Sequence, residues 1–143
     1  MKAIKFTTSS LPIVPFEDDD VNPRILGRGL ANWVKESLVD SQYEITEDIP
    51  EDWGYCLMVR RKPYWLWVGC VGLTKHTFPE RGLSAEVAES IPPKSIIWNL
   101  WVTTEMGLIG RLLRTDDRSK ESAMLMELLD SRIKLLHDFD RLA

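Results

Sequence analysis

The sequence predicts an α+β fold: a two-layer sandwich in which a mainly antiparallel sheet of four to five strands packs against two long helices. Strand-like segments follow one another through the middle of the chain, and the connections between them are too short for parallel crossovers. Two further stretches repeat apolar residues at helical spacing. The 143 residues, 44% of them hydrophobic, indicate a single domain over residues 1–143.

The first third of the chain predicts one strand and one helix. Residues 2–9 form the strand, with Ile4 and Phe6 on one face. The consecutive carboxylates at 17–20 repel one another, so this run is expected to be a solvated loop. A long helix is predicted over residues 24–39. The apolar stripe of this helix consists of Leu26, Leu30, Trp33, Val34 and Leu38.

The middle of the chain predicts a short strand followed by a hairpin. Residues 43–46 alternate apolar and polar side chains, which is typical of a half-exposed strand. Residues 49–54 contain proline, acidic residues and glycine and are interpreted as a turn. Residues 55–61 and 64–71 are strands that pair as a hairpin across a short connection. This pairing brings the two cysteines of the chain, Cys56 and Cys70, within about one residue of register.

A short helix and a strongly apolar strand follow the hairpin. Ser84 is a suitable N-cap for a helix over residues 85–90. Residues 95–103 are almost continuously apolar, which predicts a central strand buried on both faces. Residues 106–114 contain two glycines and fit either a loop or a broken helix.

The last predicted element is a second long helix over residues 121–139. Leucines and isoleucine recur there at helical spacing, and the helix is expected to pack across the sheet. Residues 115–117 supply N-cap side chains and negative charge at its start. The predicted order is therefore β-α-β-β-β-(short α)-β-α.

Composition and motifs exclude several classes of function. The net charge of −4 and the isoelectric point of about 5.2 argue against a nucleic-acid-binding protein. No apolar stretch is long enough for a signal peptide or a transmembrane helix, so we expect a cytoplasmic protein without membrane contact. The sequence contains no catalytic, cofactor-binding or metal-binding motif. Cys70 lies in a strand, where an inert buried thiol is typical, so no catalytic residue is assigned.

The negative charge is concentrated in residues 1–54, which carry a net charge of −6. Such a segment attracts a basic partner and steers its approach, although it also fits an ordinary solvated acidic face. The motif PEDWG at 50–54 places two carboxylates before a tryptophan, a residue favoured in binding hot spots. We therefore predict a non-catalytic protein-binding module of the immunity or inhibitor type that binds a basic protein. Its predicted partner-binding residues are Glu44, Glu47, Asp48, Glu51, Asp52 and Trp53.

Three local motifs resemble those of a group of small uncharacterised bacterial proteins. They are Gly29-x-x-x-Trp33 in the first predicted helix, PEDWG at 50–54, and an aromatic strand with Trp65-x-Trp67-Val-Gly-Cys. The resemblance covers about the middle half of the chain. It implies a bacterial, cytoplasmic protein and carries no activity with it.

The tryptophans support two alternative functions. One is a small-ligand-binding protein or enzyme whose pocket is lined by Trp65, Trp67 or Trp98, because aromatic side chains line many such cavities. The other is a homodimer or larger homo-oligomer joined through an aromatic sheet face. Trp65 and Trp67 share one face of their strand, whereas Trp98 and Trp101 point to opposite faces of theirs.

Overall fold

The computed structural model describes residues 3–78, 82–105 and 117–143, and within these ranges it has an α+β fold. Six strands are described: β1 (Ile4–Thr7), β2 (Glu47–Glu51), β3 (Gly54–Arg60), β4 (Trp65–Thr74), β5 (Ile96–Glu105) and β6 (Asp140–Arg141). The helices of the described part are α1 (Arg28–Ser37), α2 (Ala85–Ser90) and α3 (Asp117–Ile133). Two 3₁₀ turns cover Glu17–Asp19 and Pro93–Ser95.

The strands form one antiparallel sheet in the order β2-β3-β4-β5-β1-β6. The predicted α+β class and antiparallel sheet are confirmed. The predicted number of four to five strands is wrong, because β6 adds a sixth strand beside β1. The strand expected at 43–46 is also misplaced, since β2 occupies part of the segment that we interpreted as a turn.

The hydrophobic core lies between one face of the sheet and the helices. Leucine, valine and alanine side chains of α1 pack there with three apolar residues of α3, Leu125, Leu129 and Ile133. The predicted stripe is buried except for Trp33, which is half-buried, although Leu26 and Leu38 lie outside α1. The prediction that the last helix packs against the sheet is confirmed by its contacts with β5.

The three helices agree with the predictions to different degrees. The bounds of α2 match the predicted helix, and the Ser84 hydroxyl accepts a hydrogen bond from the backbone N–H of Val87. The helix α1 is shorter than predicted and begins at Arg28. The last helix ends at Ile133 rather than at residue 139. The predicted cap residues at 115–117 have no described side chains, and the loop or broken helix predicted at 106–114 lies outside the described residues.

The strand β5 is central but is not buried on both faces. Its side chains alternate between fully buried and partly exposed positions along the strand. The fully buried ones, including Trp98 and Leu100, face the helices. Ile97 and Trp101 point to the other face, where they keep some exposure. The apolar residues of β5 therefore lie in two environments: the core on the helix side, and a partly exposed apolar surface on the other side.

The carboxylate run at 17–20 was expected to be solvated, and half of it is buried. The Glu17 side chain is 3% exposed and accepts hydrogen bonds from the backbone N–H groups of Val14 (2.7 Å), Gly27 (2.7 Å) and Arg28 (2.9 Å). Two of these donors belong to the N-terminus of α1, which favours negative charge. Burial nevertheless outweighs these bonds and raises the pKa of Glu17. Asp18 is also buried, whereas Asp19 and Asp20 are exposed.

Candidate functional site

The candidate site lies on the face of the sheet opposite the three helices, which we call the open face. It carries the side chains that alternate with the core residues along β3, β4 and β5. Exposed apolar side chains are present there, among them Trp65 and Leu73 of β4 and Ile97 of β5. Cys56 and Met58 of β3 are buried on this face. The open face is therefore an apolar surface that no helix of the described part of the chain covers.

Three half-buried indoles form the centre of the open face, and we call them the tryptophan cluster: Trp53, Trp67 and Trp101. The Trp53 ring centroid lies 5.2 Å from that of Trp101 and 5.8 Å from that of Trp67. The Trp67 and Trp101 rings are 6.3 Å apart in an edge-on arrangement. These separations fall in the range of favourable aromatic pairs.

Two glycines allow the cluster to form. Gly69 lies opposite Trp101 in the β4–β5 pair, and a Cβ atom at Gly69 would lie 2.2 Å from the Trp101 ring. The indole therefore lies flat over the glycine backbone. Gly54 has a φ angle of +150°, a backbone conformation that residues other than glycine rarely adopt. It follows Trp53 directly, where the chain turns from β2 into β3. This turn places Trp53 beside the strand residues Trp67 and Trp101.

A groove of about 360 Å³ lies beside the tryptophan cluster. Its walls combine indole rings with charged side chains at the rim. The residues that define it are Glu51, Trp53, Arg61, Trp65, Trp67 and Glu105. Two predicted sites thus meet in one place: Trp53 and Glu51 belong to the predicted partner-binding set, and Trp65 and Trp67 to the predicted ligand pocket.

The acidic residues predicted to bind a partner do not form one patch. Glu47 and Glu51 alternate with Asp48 along β2, so they point to the open face while Asp48 points to the helices. Asp48 accepts bonds from Arg28 (2.5 Å) and Lys35 (2.6 Å) of α1. Its role is therefore structural. The remaining two acidic residues of the predicted set are exposed: Glu44 lies beside the end of α1, and Asp52 precedes Trp53.

Trp98 does not belong to this site. It is fully buried on the helix side of β5, whereas Trp65 and Trp67 lie on the open face. A pocket that includes Trp98 together with either of these residues is therefore excluded by the register. The prediction that Trp98 and Trp101 point to opposite faces is confirmed.

Sequence reasoning missed two residues of the site, Trp101 and Glu105. Trp101 was assigned to a face but not to a site, because its pairing with Gly69 of β4 joins strands that are distant in sequence. Glu105 lies opposite Trp65 in the register, two residues beyond the predicted end of the strand. Glu105 reaches the groove because β5 extends two residues beyond the predicted strand.

The groove has no activated nucleophile among the residues described. Burial, and after it the negative charges of Glu51 and Glu105, raise the pKa of the Cys56 thiol to about 11. The thiol is therefore protonated at neutral pH and unreactive. Cys56 lies opposite Gly69 and Cys70 opposite Tyr55, which confirms the predicted offset of one residue and puts the two thiols on opposite faces.

The Asp48→Asn substitution is expected to lower the free energy of unfolding by about 1 kcal/mol at neutral pH, because it weakens the bonds to Arg28 and Lys35. Burial alone would raise the pKa of Asp48, but these two partners outweigh it and hold that pKa below the ordinary value of 3.8. The stabilisation is therefore present above this value and is lost as the pH falls through the folded-state pKa. Urea unfolding at about pH 7 and about pH 3 measures both effects.

The control for this prediction is Glu44→Gln, which neutralises an exposed carboxylate of the same segment. It is expected to change stability by less than about 0.5 kcal/mol. A wild-type advantage over Asp48→Asn that grows on acidification would contradict the structural role of Asp48.

Comparisons with known proteins complete the description of the site. No described helix is long and apolar enough to cross a membrane. The described residues include no group of three or more histidine, cysteine or acidic side chains placed to hold a metal ion. No protein-family model, curated protein or solved structure matches this chain.

Proposed function

We propose that this chain is a protein-binding module whose open face docks a basic partner protein. In its specific form it is an immunity or inhibitor-type protein that neutralises the partner by covering it. The observation that carries the proposal is the tryptophan cluster on a sheet face that the described helices leave open, with carboxylates at its rim.

The apolar character of the open face favours a protein partner. Tryptophan is enriched in the hot spots of protein interfaces, where a few aromatic side chains carry most of the binding energy. Here Trp65 is 42% exposed, and Leu73 and Ile97 extend the exposed apolar surface along β4 and β5. Exposed apolar side chains on one face of a sheet, around a tryptophan cluster, are typical of an interaction site.

The charge of the rim favours a basic partner. Glu51 and Glu105 line the groove, and Arg61, the only basic residue among its described walls, is paired with Glu47. The whole chain also carries a net charge of −4. A negative surface around an apolar centre accelerates the approach of a basic protein and disfavours acidic ones.

A display experiment tests the proposal. Random genomic fragments from the source organism are displayed and selected against the wild-type chain and against Trp67→Ala. We expect basic fragments that bind the variant at least about tenfold more weakly, because removal of a tryptophan from a hot spot costs 2 kcal/mol or more. Val39→Ala is the matched control, since Val39 is 83% exposed beside the end of α1.

Thermal unfolding of the three proteins shows whether Trp67→Ala remains folded. Fragments that bind wild type, Val39→Ala and folded Trp67→Ala equally well would contradict docking on the open face. A selection that yields no basic fragment would contradict the choice of partner.

A second candidate function is small-ligand binding in the same groove. Its volume of about 360 Å³ lies within the range of ligand pockets, and two of its walls are Trp65 and Trp67. The groove opens on the surface of the sheet, whereas ligand pockets enclose most of the surface of their ligand. We therefore rank this candidate below protein binding.

A further inference from the structure

Two carboxylates at the groove have no cationic partner among the residues the structure describes. They are Glu51, in β2 next to the turn that carries Trp53, and Glu105, at the end of β5 opposite Trp65. Glu47 differs from them, because it is paired with Arg61. Two negative charges thus border an aromatic groove without being neutralised by the described part of the chain.

These two carboxylates act on the interior of the groove as well as on its rim. Cys56 lies in the groove wall, and both Glu51 and Glu105 contribute to the raised pKa of its thiol, after burial. Their negative potential therefore reaches the same buried point from two different strands. A positive group inside the groove would be attracted by both of them.

The open face already contains one arginine bound in a comparable way. The Arg61 guanidinium lies 5.1 Å from the centroid of the Trp65 ring, within the range of cation–π contacts. It also donates two hydrogen bonds to the Glu47 carboxylate, at 2.6 Å and 3.0 Å. Stacking on an indole together with bidentate pairing to a carboxylate is thus compatible with the geometry of this face.

We propose that the groove receives an arginine side chain of the basic partner, whose guanidinium stacks on an indole of the tryptophan cluster and is attracted by the carboxylates of Glu51 and Glu105, which line the groove from two sides. This inference rests on the proposed function and specifies the chemistry of the contact. The partner is a protein segment in which an arginine projects from otherwise apolar residues, since the surrounding surface of the open face is apolar.

Charge and shape favour an arginine side chain over a lysine side chain, a second copy of this chain or nucleic acid. A planar guanidinium stacks on aromatic faces and pairs bidentately with carboxylates, whereas a lysine ammonium is more strongly hydrated and does neither as well. A second copy of this chain, placed on the groove by two-fold symmetry, would bring Glu51 and Glu105 close to their own equivalents. Nucleic acid would meet the same repulsion through its phosphates.

The test uses the full-length chain labelled with ¹⁵N, in which the indole N–H signals of the six tryptophans report on separate places. Each signal is assigned with a single Trp→Phe variant. The probes are synthetic heptapeptides with leucines flanking a central arginine, lysine, citrulline or leucine. Citrulline matches the shape of arginine but is uncharged, so it isolates the contribution of the charge.

We expect the arginine peptide to shift the indole signals of Trp53, Trp65 and Trp67 and to leave the signals of Trp33 and Trp98 in place. Trp33 lies on α1 and Trp98 in the core on the helix side. The arginine peptide should bind about tenfold more tightly than the citrulline peptide, which corresponds to about 1.4 kcal/mol. The lysine peptide should fall between the two.

Variants of the chain locate the contact. The double variant Glu51→Gln/Glu105→Gln is expected to bind the arginine and citrulline peptides equally, because the uncharged amides keep the shape of the groove. The control Glu44→Gln removes one exposed carboxylate away from the groove and should bind as wild type does. The indole spectrum of each free variant shows whether the fold is intact.

Two results would overturn the inference. One is equal binding of the arginine and citrulline peptides to the wild-type chain, and the other is the absence of any shift at Trp53, Trp65 and Trp67. Neither result decides the proposed function. If genomic fragments still require Trp67, the open face docks a partner by another contact, and if they do not, both proposals fail.

Discussion

Replacement of Trp98 by alanine is expected to lower the free energy of unfolding by about 3–5 kcal/mol. Trp98 is 0% exposed and lies on the helix side of β5, near the middle of the sheet. Its ring packs closely over Gly72 of β4, where a Cβ atom would lie 2.8 Å from the indole. Alanine would leave a cavity between the sheet and the helices that the surrounding backbone fills only in part. Unfolding in urea measures the loss.

Trp65→Ala is the matched control, because it removes the same side chain from the same sheet on the opposite face. Trp65 is 42% exposed and its ring contacts the Arg61 guanidinium. We expect a loss below about 1 kcal/mol, the usual size of an exposed cation–π contact. Equal losses in the two variants would contradict the assignment of Trp98 to the core and Trp65 to the open face.

The opposite orientations of Trp98 and Trp101 show what the sequence predicts well. In a strand, successive side chains alternate between faces, so an odd separation places two residues on opposite faces whatever their partners are. The apolar spacing of Leu30 and Val34 in α1 and the cap of α2 at Ser84 are equally local, and both are confirmed. Patterns of this kind depend on residues close in sequence and need no knowledge of the remaining fold.

Features that depend on distant partners were not predicted from the sequence. Glu17 is buried because backbone N–H groups ten and eleven residues later complete its hydrogen bonds. The strand β2 forms through pairing with β3 even though it contains a proline and three acidic residues, which suggested a turn. In both cases a tertiary contact overrides the local preference.

The candidate site was predicted in parts but not as a whole. Trp53 and Glu51 were assigned to one hypothesis and Trp65 and Trp67 to another, because the β3–β4 hairpin was predicted but Glu51 was assigned to a turn and not to a strand paired with β3. Pairing of β2 with β3, and of β3 with β4, brings these residues into one groove. The same pairing moves Asp48 to the other face, where it bonds to α1. Register therefore decides which predicted residues share a site.

The substitution Gly29→Ala is expected to destabilise the protein by about 2–3 kcal/mol, although alanine is the better helix former. In the interior of an exposed helix this change would add about 1 kcal/mol of stability. Gly29, however, is buried at the start of α1, and a Cβ atom there would lie 2.1 Å from the carbonyl oxygen of Pro12. The clash involves backbone, so no side-chain rotation relieves it, and overpacking outweighs helix propensity.

The loss of stability should exceed the cost of the Gly29–Pro12 clash alone, because the segment that contains Pro12 is bonded to the residue that caps α1. Glu17 joins the two parts: it accepts a hydrogen bond from the backbone N–H of Val14, next to the clash, and others from Gly27 and Arg28. Moving Pro12 therefore strains these bonds as well. Glu36→Ala, at an exposed position of the same helix, is the control and should change stability by less than about 0.5 kcal/mol. If urea unfolding finds Gly29→Ala more stable than wild type, helix propensity prevails and the close approach of Pro12 to α1 is wrong.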